Sequence, residues 1–370
     1  MTAPIPQRVV VAPDKFKGSL TAVEAAEAIG AGVRDALPDA DVALCPVADG
    51  GEGTLDVLLA AGGSRVDRRV SGPLSDPVDA WYVMLDGTAY VESARACGIE
   101  HVTPSPDVAL AAHTHGVGEL IADALRRGAR QIVLTVGGTA STDGGSGMLQ
   151  ALGARLTDST GNPVGLGGGA LADVVSVDLT ETRALLGDAR VRVATDVTNP
   201  LHGPDGAAAV FGPQKGAGPA EVSTLRAHLE RWAEALGFTD RTSAGAGGGI
   251  SGGAMAALGA SAESGFDLVV ELTGVADAIV GADLVITGEG SLDAQSLAGK
   301  APAGIAAIAR RHGARVAAIA GRVALPSEEL TAAGITAAVA LADHAPSVEV
   351  AVRDAAALLR RHSADLARSG

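Results

Sequence analysis

A six-residue motif occurs twice in this chain, and its position limits the folds that the chain can adopt. Gly-Glu-Gly-Thr-Leu-Asp spans Gly51 to Asp56, and Gly-Glu-Gly-Ser-Leu-Asp spans Gly288 to Asp293. Each copy follows an apolar run, Val42 to Val47 or Leu284 to Ile286, and precedes a helix-like stretch. Glycines that flank a carboxylate between a strand and a helix are typical of the edge where parallel α/β sheets bind ligands. The repeat therefore predicts that the chain leaves one sheet and later returns to it.

The N-terminal segment alternates strands and helices. Arg8 to Ala12 is a short β-branched run, and Ser19 is placed to cap a helix that runs to about Leu37. Asp41 to Val47 predicts the next strand, and Thr54 caps the next helix. This β-α-β-α order indicates a parallel sheet with helical crossovers.

The pattern then changes in the middle of the chain. Val66 to Val70, Val78 to Met84 and Thr88 to Glu92 alternate apolar and polar residues, as antiparallel strands with one buried face do. From Asp283 onward strict alternation resumes. It predicts a strand to Thr287, a helix near Pro302 to His312, strands at Val316 to Ala320 and near Ala337, and a helix from about Val348 to Arg368.

Together these patterns predict an α/β protein with a doubly wound, Rossmann-like parallel-sheet domain that is discontinuous in sequence. Residues 1–65 plus 282–370 are predicted to form this domain. Residues 66–281 are predicted to form an inserted second α/β domain with a mixed sheet. We expect the active site in the cleft between the two domains.

Composition and charge exclude several classes of function. The net charge of −15 argues against a nucleic-acid or anionic-membrane surface, because no basic block is present to pair with phosphates. No apolar run approaches the ~18 residues of a membrane span. The first residues show no charged region followed by an apolar one, so a secretory signal is not expected. The expected protein is cytoplasmic, a monomer or a homodimer, and acts on small molecules. Cys45 and Cys97 show no metal spacing and are expected to be buried small hydrophobes.

Two segments near the N-terminus carry charged residues that suit ligand binding. Asp14, Lys15 and Lys17 lie between the first strand and its helix, where helix amides and two lysines form an anion site. Asp49 and Glu52 are carboxylates in the glycine-rich first copy of the repeat. An ordinary solvated turn and simple helix-end charges are the alternatives for these two segments.

The longest glycine- and hydroxyl-rich turn runs from Gly137 to Gly147, directly after the apolar run Ile132 to Val136. Successive backbone N–H groups in such a turn form a concave anion nest. It is not a Walker A loop, because no Gly-Lys-Ser/Thr ends it. The nominal G-x-G-x-x-G from Gly247 to Gly252 follows no clear strand and is a weak dinucleotide signal.

A further candidate is Asp196, which follows the predicted strand Val191 to Val193 and precedes Asn199. This placement suits a base or a metal ligand, and an Asx-type turn is the alternative. Lys215 lies on a tight turn further along. His113 and His115 do not form a zinc template, and no nucleophile elbow is present.

Taken together, these segments resemble the type I glycerate kinase family over almost the whole chain. The resemblance is carried by several long motifs in the same order: Ala12 to Ser19, Ala48 to Thr54, Gly116 to Ile121, Gly137 to Gly153, Asp196 to Leu201, Val210 to Ala217, Ile286 to Gly290 and Gly299-Lys300. It implies ATP-dependent phosphorylation of a hydroxyl of D-glycerate to give 2-phosphoglycerate, with Mg²⁺.

The resemblance and the chemistry of phosphoryl transfer together assign expected roles. Asp196, Lys15 and Lys17 are the catalytic candidates, with Asp196 as the base or orienting group for the glycerate hydroxyl. Substrate-binding candidates are Asp14, Ser19, Asp49, Glu52 and Asn199. Nucleotide-binding candidates are Gly137, Gly138, Thr139, Ser141, Asp143 and Lys215. The metal candidates are Glu289 and Asp293, because Mg²⁺ prefers oxygen ligands.

The chain departs from the family pattern at three places. Thr139 to Asp143 replaces a more usual Ser-Ala-Thr-Asn-Asp, Ser291 stands where the family more often has Arg, and His115 stands where an aromatic residue is usual. Kinase activity on another hydroxy acid, such as tartronate or hydroxypyruvate, and a non-catalytic sugar-acid-binding protein are the alternatives. A nicotinamide-linked dehydrogenase is disfavoured, because Ala12-Pro13-Asp14-Lys15 replaces the expected glycines.

Overall fold

Thirteen strands and seventeen α-helices occur in the residues that the computed structural model describes, which are 6–51, 53–297 and 300–368. The strands are β1 Arg8–Pro13, β2 Asp41–Leu44, β3 Ser64–Ser71, β4 Pro77–Leu85, β5 Thr88–Glu92, β6 Gln131–Thr135, β7 Arg155–Thr157, β8 Ser176–Asp178, β9 Arg190–Ala194, β10 Ser261–Glu263, β11 Leu284–Leu292, β12 Arg315–Val323 and β13 Ala337–Ala340. The helices are α1 Ala22–Ala36, α2 Thr54–Ala60, α3 Ala94–Cys97, α4 Pro106–Ala111, α5 His115–Arg126, α6 Ser146–Ala151, α7 Thr180–Leu186, α8 Ala207–Phe211, α9 Pro219–Ala235, α10 Ile250–Leu258, α11 Gly265–Thr273, α12 Val275–Ile279, α13 Ala294–Leu297, α14 Ala301–Arg311, α15 Ser327–Ala332, α16 Val348–Arg353 and α17 Ala355–Arg368.

Internal contacts divide the chain into two compact units. Within the described residues, the first unit takes its chain from the ranges Met1–Asp49, Asp56–Ala61 and Gly265–Gly370. The second unit takes its chain from Gly50–Leu55 and Gly62–Ser264. The domain boundaries predicted from the sequence, and the cleft expected between the domains, stay predictions.

The first unit is built on a five-stranded parallel sheet in the order β13-β12-β11-β1-β2. Val9, Val10 and Val11 of β1, an inner strand of this sheet, are fully buried, as expected for a strand with both faces covered. From β1 the chain adds β2 on one side, whereas β11 and the strands after it lie on the other side. The strand order therefore reverses between β1 and β11, which is the usual ligand-binding position of such a sheet. The predicted fold class, with the parallel sheet formed by both ends of the chain, is confirmed.

The two copies of the repeated motif have different conformations. The first copy leads into α2, as predicted. All of the second copy except its last residue, Asp293, lies within β11, which continues to Leu292 instead of ending at Thr287. The strand continues because it stays paired with β12 as far as Leu292 opposite Val323. The glycines permit this close pairing, since a Cβ at Gly288 would lie 2.0 Å from the carbonyl oxygen of Ile319.

Two predicted helix boundaries are also wrong. Thr21, not Ser19, caps α1, because the Thr21 hydroxyl accepts from the Glu24 amide at 3.2 Å while the Glu24 carboxylate accepts from the Thr21 amide at 2.8 Å. This capping box satisfies two helix-end donors, which a single serine two residues earlier cannot do. The C-terminal helix is two helices, α16 and α17, separated at Asp354.

The second unit contains a six-stranded mixed sheet in the order β10-β9-β6-β5-β4-β3. The predicted antiparallel pairing of β3, β4 and β5 is present, and the remaining neighbours are parallel. A separate hairpin-like pair joins β7 and β8. Both tryptophans and both tyrosines of the chain, Trp81, Trp232, Tyr82 and Tyr90, belong to this unit.

No helix in the described ranges is both long enough and apolar enough to cross a membrane.

Candidate active site

A small cavity in the second unit lies at the carboxyl ends of β6 and β9. Its volume is about 140 Å³. The lining residues that matter here come from three loops: Gly137 to Thr139 after β6, Thr195 and Val197 after β9, and Gly247 and Gly248 before α10, with Lys215 beside them. Four of the predicted nucleotide-binding residues therefore line one cavity: Gly137, Gly138, Thr139 and Lys215.

Lys215 is the buried cation of this cavity. Only 3% of the residue is exposed, and its Nζ donates to the Thr139 hydroxyl at 3.3 Å and to the Ser141 carbonyl oxygen at 2.5 Å. Burial lowers the pKa of Lys215 to about 8, against the opposing effect of the negative charges that Cys97 and Asp143 can carry. The side chain is thus held in a fixed place, and its charge is poorly solvated, so an anion that enters the cavity would bind it strongly.

Glycine is required where the backbone approaches this lysine. Gly247, Gly248 and Gly249 have φ angles of 64°, 70° and 92°, which L side chains rarely adopt. A Cβ at Gly248 would also lie 2.0 Å from the Ser141 carbonyl oxygen and 2.9 Å from Lys215 Nζ. These left-handed residues directly precede α10, so backbone N–H groups and a helix N-terminus lie beside the cavity.

Asp143 shapes the glycine-rich turn. Its Oδ2 accepts from the Thr114 amide at 3.0 Å, from the Thr114 hydroxyl at 2.8 Å and from the Gly147 amide at 3.1 Å. Its Oδ1 accepts from the Gly145 amide at 3.1 Å, and the residue is fully buried. Through these hydrogen bonds, the buried Asp143 carboxylate holds the backbone of the glycine-rich turn in place.

Asp196 and Asn199 lie in the loop after β9. Asp196 is exposed, and its neighbours Thr195 and Val197 line the cavity although Asp196 itself does not. The Asn199 side chain donates to the Asp205 carbonyl oxygen at 2.9 Å, so it stabilises its own loop.

A group of carboxylates lies at the strand-order reversal in the first unit. Asp14 follows β1, and its amide donates to the Gly288 carbonyl oxygen of β11 at 2.8 Å. Burial, followed by the negative charge of Asp49, raises the pKa of Asp14 to about 7, while the Lys15 amide and charge oppose the rise and the Glu289 charge adds to it. The Lys15 amide donates to Asp14 Oδ1 at 2.6 Å.

Glu289 is the second buried acid of this group. Burial raises its pKa, the negative charges of Asp293 and Asp49 add to the effect, and Ser296 and Lys300 oppose it. Its Oε1 has no hydrogen-bond partner within the described ranges. The predicted metal candidate Asp293 lies nearby, 3.5 Å from the hydroxyl of Ser291, the residue that departs from the family pattern.

The loop between β1 and α1 presents Lys17 and Ser19. Phe16 is buried and its carbonyl oxygen accepts from the amides of Ser19 and Leu20, which closes the loop into a tight turn. Lys17 is exposed, and the Ser19 hydroxyl donates to the Val352 carbonyl oxygen at 2.7 Å. Glu52, another predicted substrate ligand, lies outside the described residues.

The described side chains contain no group of three or more His, Cys, Asp or Glu residues arranged to hold a metal ion. This does not conflict with Mg²⁺ chemistry, because Mg²⁺ is commonly held by one or two carboxylates together with substrate phosphates. Glu289, with a buried oxygen that has no hydrogen-bond partner among the described residues, fits such a role.

Four residues that line the cavity beside Lys215 are not among the predicted site residues: Thr195, Gln214, Gly247 and Gly248. In the sequence, the Gly247 to Gly252 segment resembles only a weak dinucleotide fingerprint. The available signal was the run of three glycines next to a helix, which permits consecutive left-handed residues.

Comparison with known proteins agrees with these features. The sequence model of the Glycerate kinase family matches residues 9–369. The chain is 42% identical to the glycerate kinase of Bacillus subtilis strain 168 over 98% of this chain and 97% of that protein. It is 44% identical to the glycerate 2-kinase of Escherichia coli K12 over 85% of each protein. A crystal structure of a Salmonella typhimurium LT2 protein assigned as a glycerate kinase 2 superposes with a TM-score of 0.85 at 38% identity, covering 98% of this chain and 97% of that one. The chain belongs to the glycerate kinase family.

Proposed function

We propose that the protein transfers the γ-phosphoryl group of ATP to the 2-hydroxyl of D-glycerate, giving 2-phosphoglycerate and ADP. The observation that carries the proposal is the buried Lys215 ammonium in a glycine-lined cavity, because phosphoryl transfer needs fixed cations and amides around phosphate oxygens. The full-length similarity to named glycerate kinases supports the choice of substrate.

The cavity of the second unit suits one phosphate group. Its volume of about 140 Å³ is smaller than the roughly 300–1,000 Å³ of pockets that enclose whole ligands. Gly137, Gly138 and Thr139 would supply backbone donors, and Lys215 would neutralise charge on the phosphate. Ser141 and Asp143 would act by holding this turn, through the Ser141 carbonyl and the Asp143 carboxylate.

The reaction would form a bond between the glycerate hydroxyl oxygen and the γ-phosphorus, and break the bond from that phosphorus to the bridging oxygen of ADP. We assign the hydroxyl proton to the carboxylate of Asp196, which lies beside two cavity-lining residues. Lys15 and Lys17 would stabilise negative charge, and Asp14, Ser19, Asp49, Glu52 and Asn199 would orient glycerate.

Glu289 and Asp293 would hold Mg²⁺ together with phosphate oxygens. When bound, Mg²⁺ supplies charge neutralisation and alignment of the phosphates. The cytoplasmic location, and the monomeric or homodimeric state, stay predictions.

A coupled ADP-release assay with D-glycerate, ATP and Mg²⁺, followed by NMR of the product, tests the proposal. We expect ADP and 2-phosphoglycerate in equal amounts, and a loss of at least about 100-fold in kcat for Asp196→Asn, as for the removal of a general base. Product formed only from tartronate or hydroxypyruvate would point to another hydroxy-acid kinase. Binding of glycerate without ADP release would point to a non-catalytic binding protein.

A further inference from the structure

A second, larger cavity lies in the first unit. It opens at the carboxyl ends of β11 and β12 and has a volume of about 320 Å³, within the roughly 300–1,000 Å³ typical of small-molecule pockets. The strand ends contribute Gly290 and Ser291 from β11, and Gly321 and Arg322 from β12. Its place beside the strand-order reversal is where doubly wound sheets bind ligands.

The walls of this cavity are apolar. Phe16, Leu341, Ala351 and Ala355 are buried residues that line it. Val348 and Val352 also line it but are 63% and 41% exposed, although they are large aliphatic residues. These two valines lie one turn apart on α16, so a continuous apolar wall is open to a ligand instead of being covered by the fold.

The mouth of the cavity carries positive charge. Lys17 and Arg322 line it and are exposed, and neither takes part in an ion pair with another described residue. An apolar chamber with two cations at its edge matches a ligand that has a flat apolar body and an anionic tail. Backbone groups of Gly290 and Gly321 offer the few polar contacts that orient such a body.

We propose that this cavity binds the adenine base of the nucleotide, with Lys17 and Arg322 contacting its phosphates. This inference rests on the proposed function, since that reaction supplies a nucleotide whose base suits apolar walls, and this larger cavity provides them. The close strand contact forms part of the site, because a Cβ at Gly321 would lie 2.5 Å from the Gly290 carbonyl oxygen.

Calorimetric titration of the full-length protein with ADP and with adenosine tests the site. Val352→Asp places a carboxylate in the apolar wall, so we expect the Kd values of both ligands to rise at least about tenfold. Arg322→Gln removes a phosphate contact and keeps the walls. We therefore expect a rise of about tenfold for ADP and a change of less than about twofold for adenosine.

Val280→Asp is the matched control, because Val280 is 49% exposed, belongs to the first unit and does not line the cavity. It should leave both Kd values unchanged. Val348→Glu is a second wall variant that should fold well, since an acidic side chain is favourable in the first turn of α16. It should raise the Kd values of both ADP and adenosine, as Val352→Asp does.

Unchanged ADP affinity in both wall variants, or a wild-type protein that binds neither ligand, would overturn the proposal. The outcomes also separate it from the proposed function. If the protein forms phosphoglycerate but the wall variants bind ADP as tightly as the wild-type protein, the adenine site is refuted and the kinase activity is not. If the wall variants bind ADP more weakly but the wild-type protein forms no phosphoglycerate, the kinase activity is refuted and the adenine site is not.

Discussion

Each unit buries an ionisable side chain, at a cost in stability, at a position that suits catalysis. Lys215 is buried in the second unit with a pKa of about 8, and Asp14 is buried in the first unit with a pKa of about 7. In both residues, burial disfavours the charged form and is the largest cause of the shift. Each residue therefore reduces stability in its charged form, and each is a candidate for substrate contact for that reason.

Lys215 should give opposite pH dependences for activity and stability. Its ammonium loses a proton as the pH rises through about 8, so kcat/KM for ATP should fall above that pH. The unfolded chain keeps this proton up to about 10.5, so the free energy of unfolding should gain up to roughly 3 kcal/mol from this group between pH 8 and 10.5. Initial rates and urea unfolding measured from pH 6 to 10.5 would show both trends.

Lys215→Met is the comparison for these trends. It should reduce kcat/KM by roughly 10²–10³-fold at pH 7 and remove the gain in stability at high pH. If kcat/KM for ATP fell above about pH 8 in Lys215→Met just as it does in the wild-type protein, the fall would come from the ionisation of another group.

Asp14→Asn should make the protein more stable and less active. The pKa of Asp14 is raised, so its ionisation in the folded state opposes folding. This penalty is absent below pH 3.8, grows up to about pH 7 and is complete above it. At pH 8 the amide should therefore raise the free energy of unfolding by up to roughly 4 kcal/mol, because it imitates the neutral acid. Urea unfolding at pH 4 and pH 8 measures the difference.

Asp39→Asn, at an exposed position of the same unit, is the control for this measurement and should show no such pH-dependent gain. Equal effects of the two substitutions at pH 8 would contradict the burial of a charged Asp14.

Among the elements, α1 shows how a local hydrogen-bond pattern sets a boundary. The capping box of Thr21 and Glu24 begins the helix, and α1 packs against α17, with the Ser363 hydroxyl donating to the Ile29 carbonyl oxygen at 3.0 Å. Gly32 permits this packing, because a Cβ there would lie 1.9 Å from the Arg360 carbonyl oxygen. The second half of α1 therefore packs closely against α17, whereas the capping box sets where α1 begins.

Thr21→Ala should lower the free energy of unfolding by about 1 kcal/mol, because it removes the hydroxyl that accepts from the Glu24 amide. Thr21→Ser retains that acceptor and should restore most of the loss. Urea unfolding of the three proteins at pH 7 gives the comparison. If Thr21→Ser were as unstable as Thr21→Ala, the hydroxyl would not be the stabilising group.

The sequence predicted most elements and the fold class, because apolar periodicity and alternation reflect burial directly. It failed where pairing or capping decided the outcome. The second repeat copy has the composition of a turn, yet pairing with β12 extends β11 to Leu292. Lys215 and Gly137 to Thr139 were predicted as one nucleotide site and do line one cavity. Gly247 and Gly248 were missed because their role depends on left-handed φ angles, which sequence spacing does not reveal.

At the scale of the whole molecule, each unit has its own hydrophobic core. The core of the second unit is one cluster that includes Tyr82, Leu134 and Trp232. The first unit has two clusters on its parallel sheet, one including Val10 and Val285 and the other Val9 and Ile286. Separate cores are the usual basis for separate folding units.

We therefore expect thermal unfolding of the full chain to depart from a single two-state transition. Scanning calorimetry should give a ratio of calorimetric to van't Hoff enthalpy of about 2 instead of about 1. ADP, if it binds in the first unit as proposed, should shift the transition of that unit to higher temperature. A single transition with equal enthalpies would show that the two units unfold together.

All tryptophans and tyrosines belong to the second unit, which gives the molecule uneven optical properties. Intrinsic fluorescence excited at the indole band reports on Trp81 and Trp232, and therefore on the second unit. The first unit contributes only phenylalanine absorption, from Phe16 and Phe266. An emission-based unfolding curve would consequently overlook the parallel sheet, and a tryptophan introduced into the first unit would be the reporter needed to observe it.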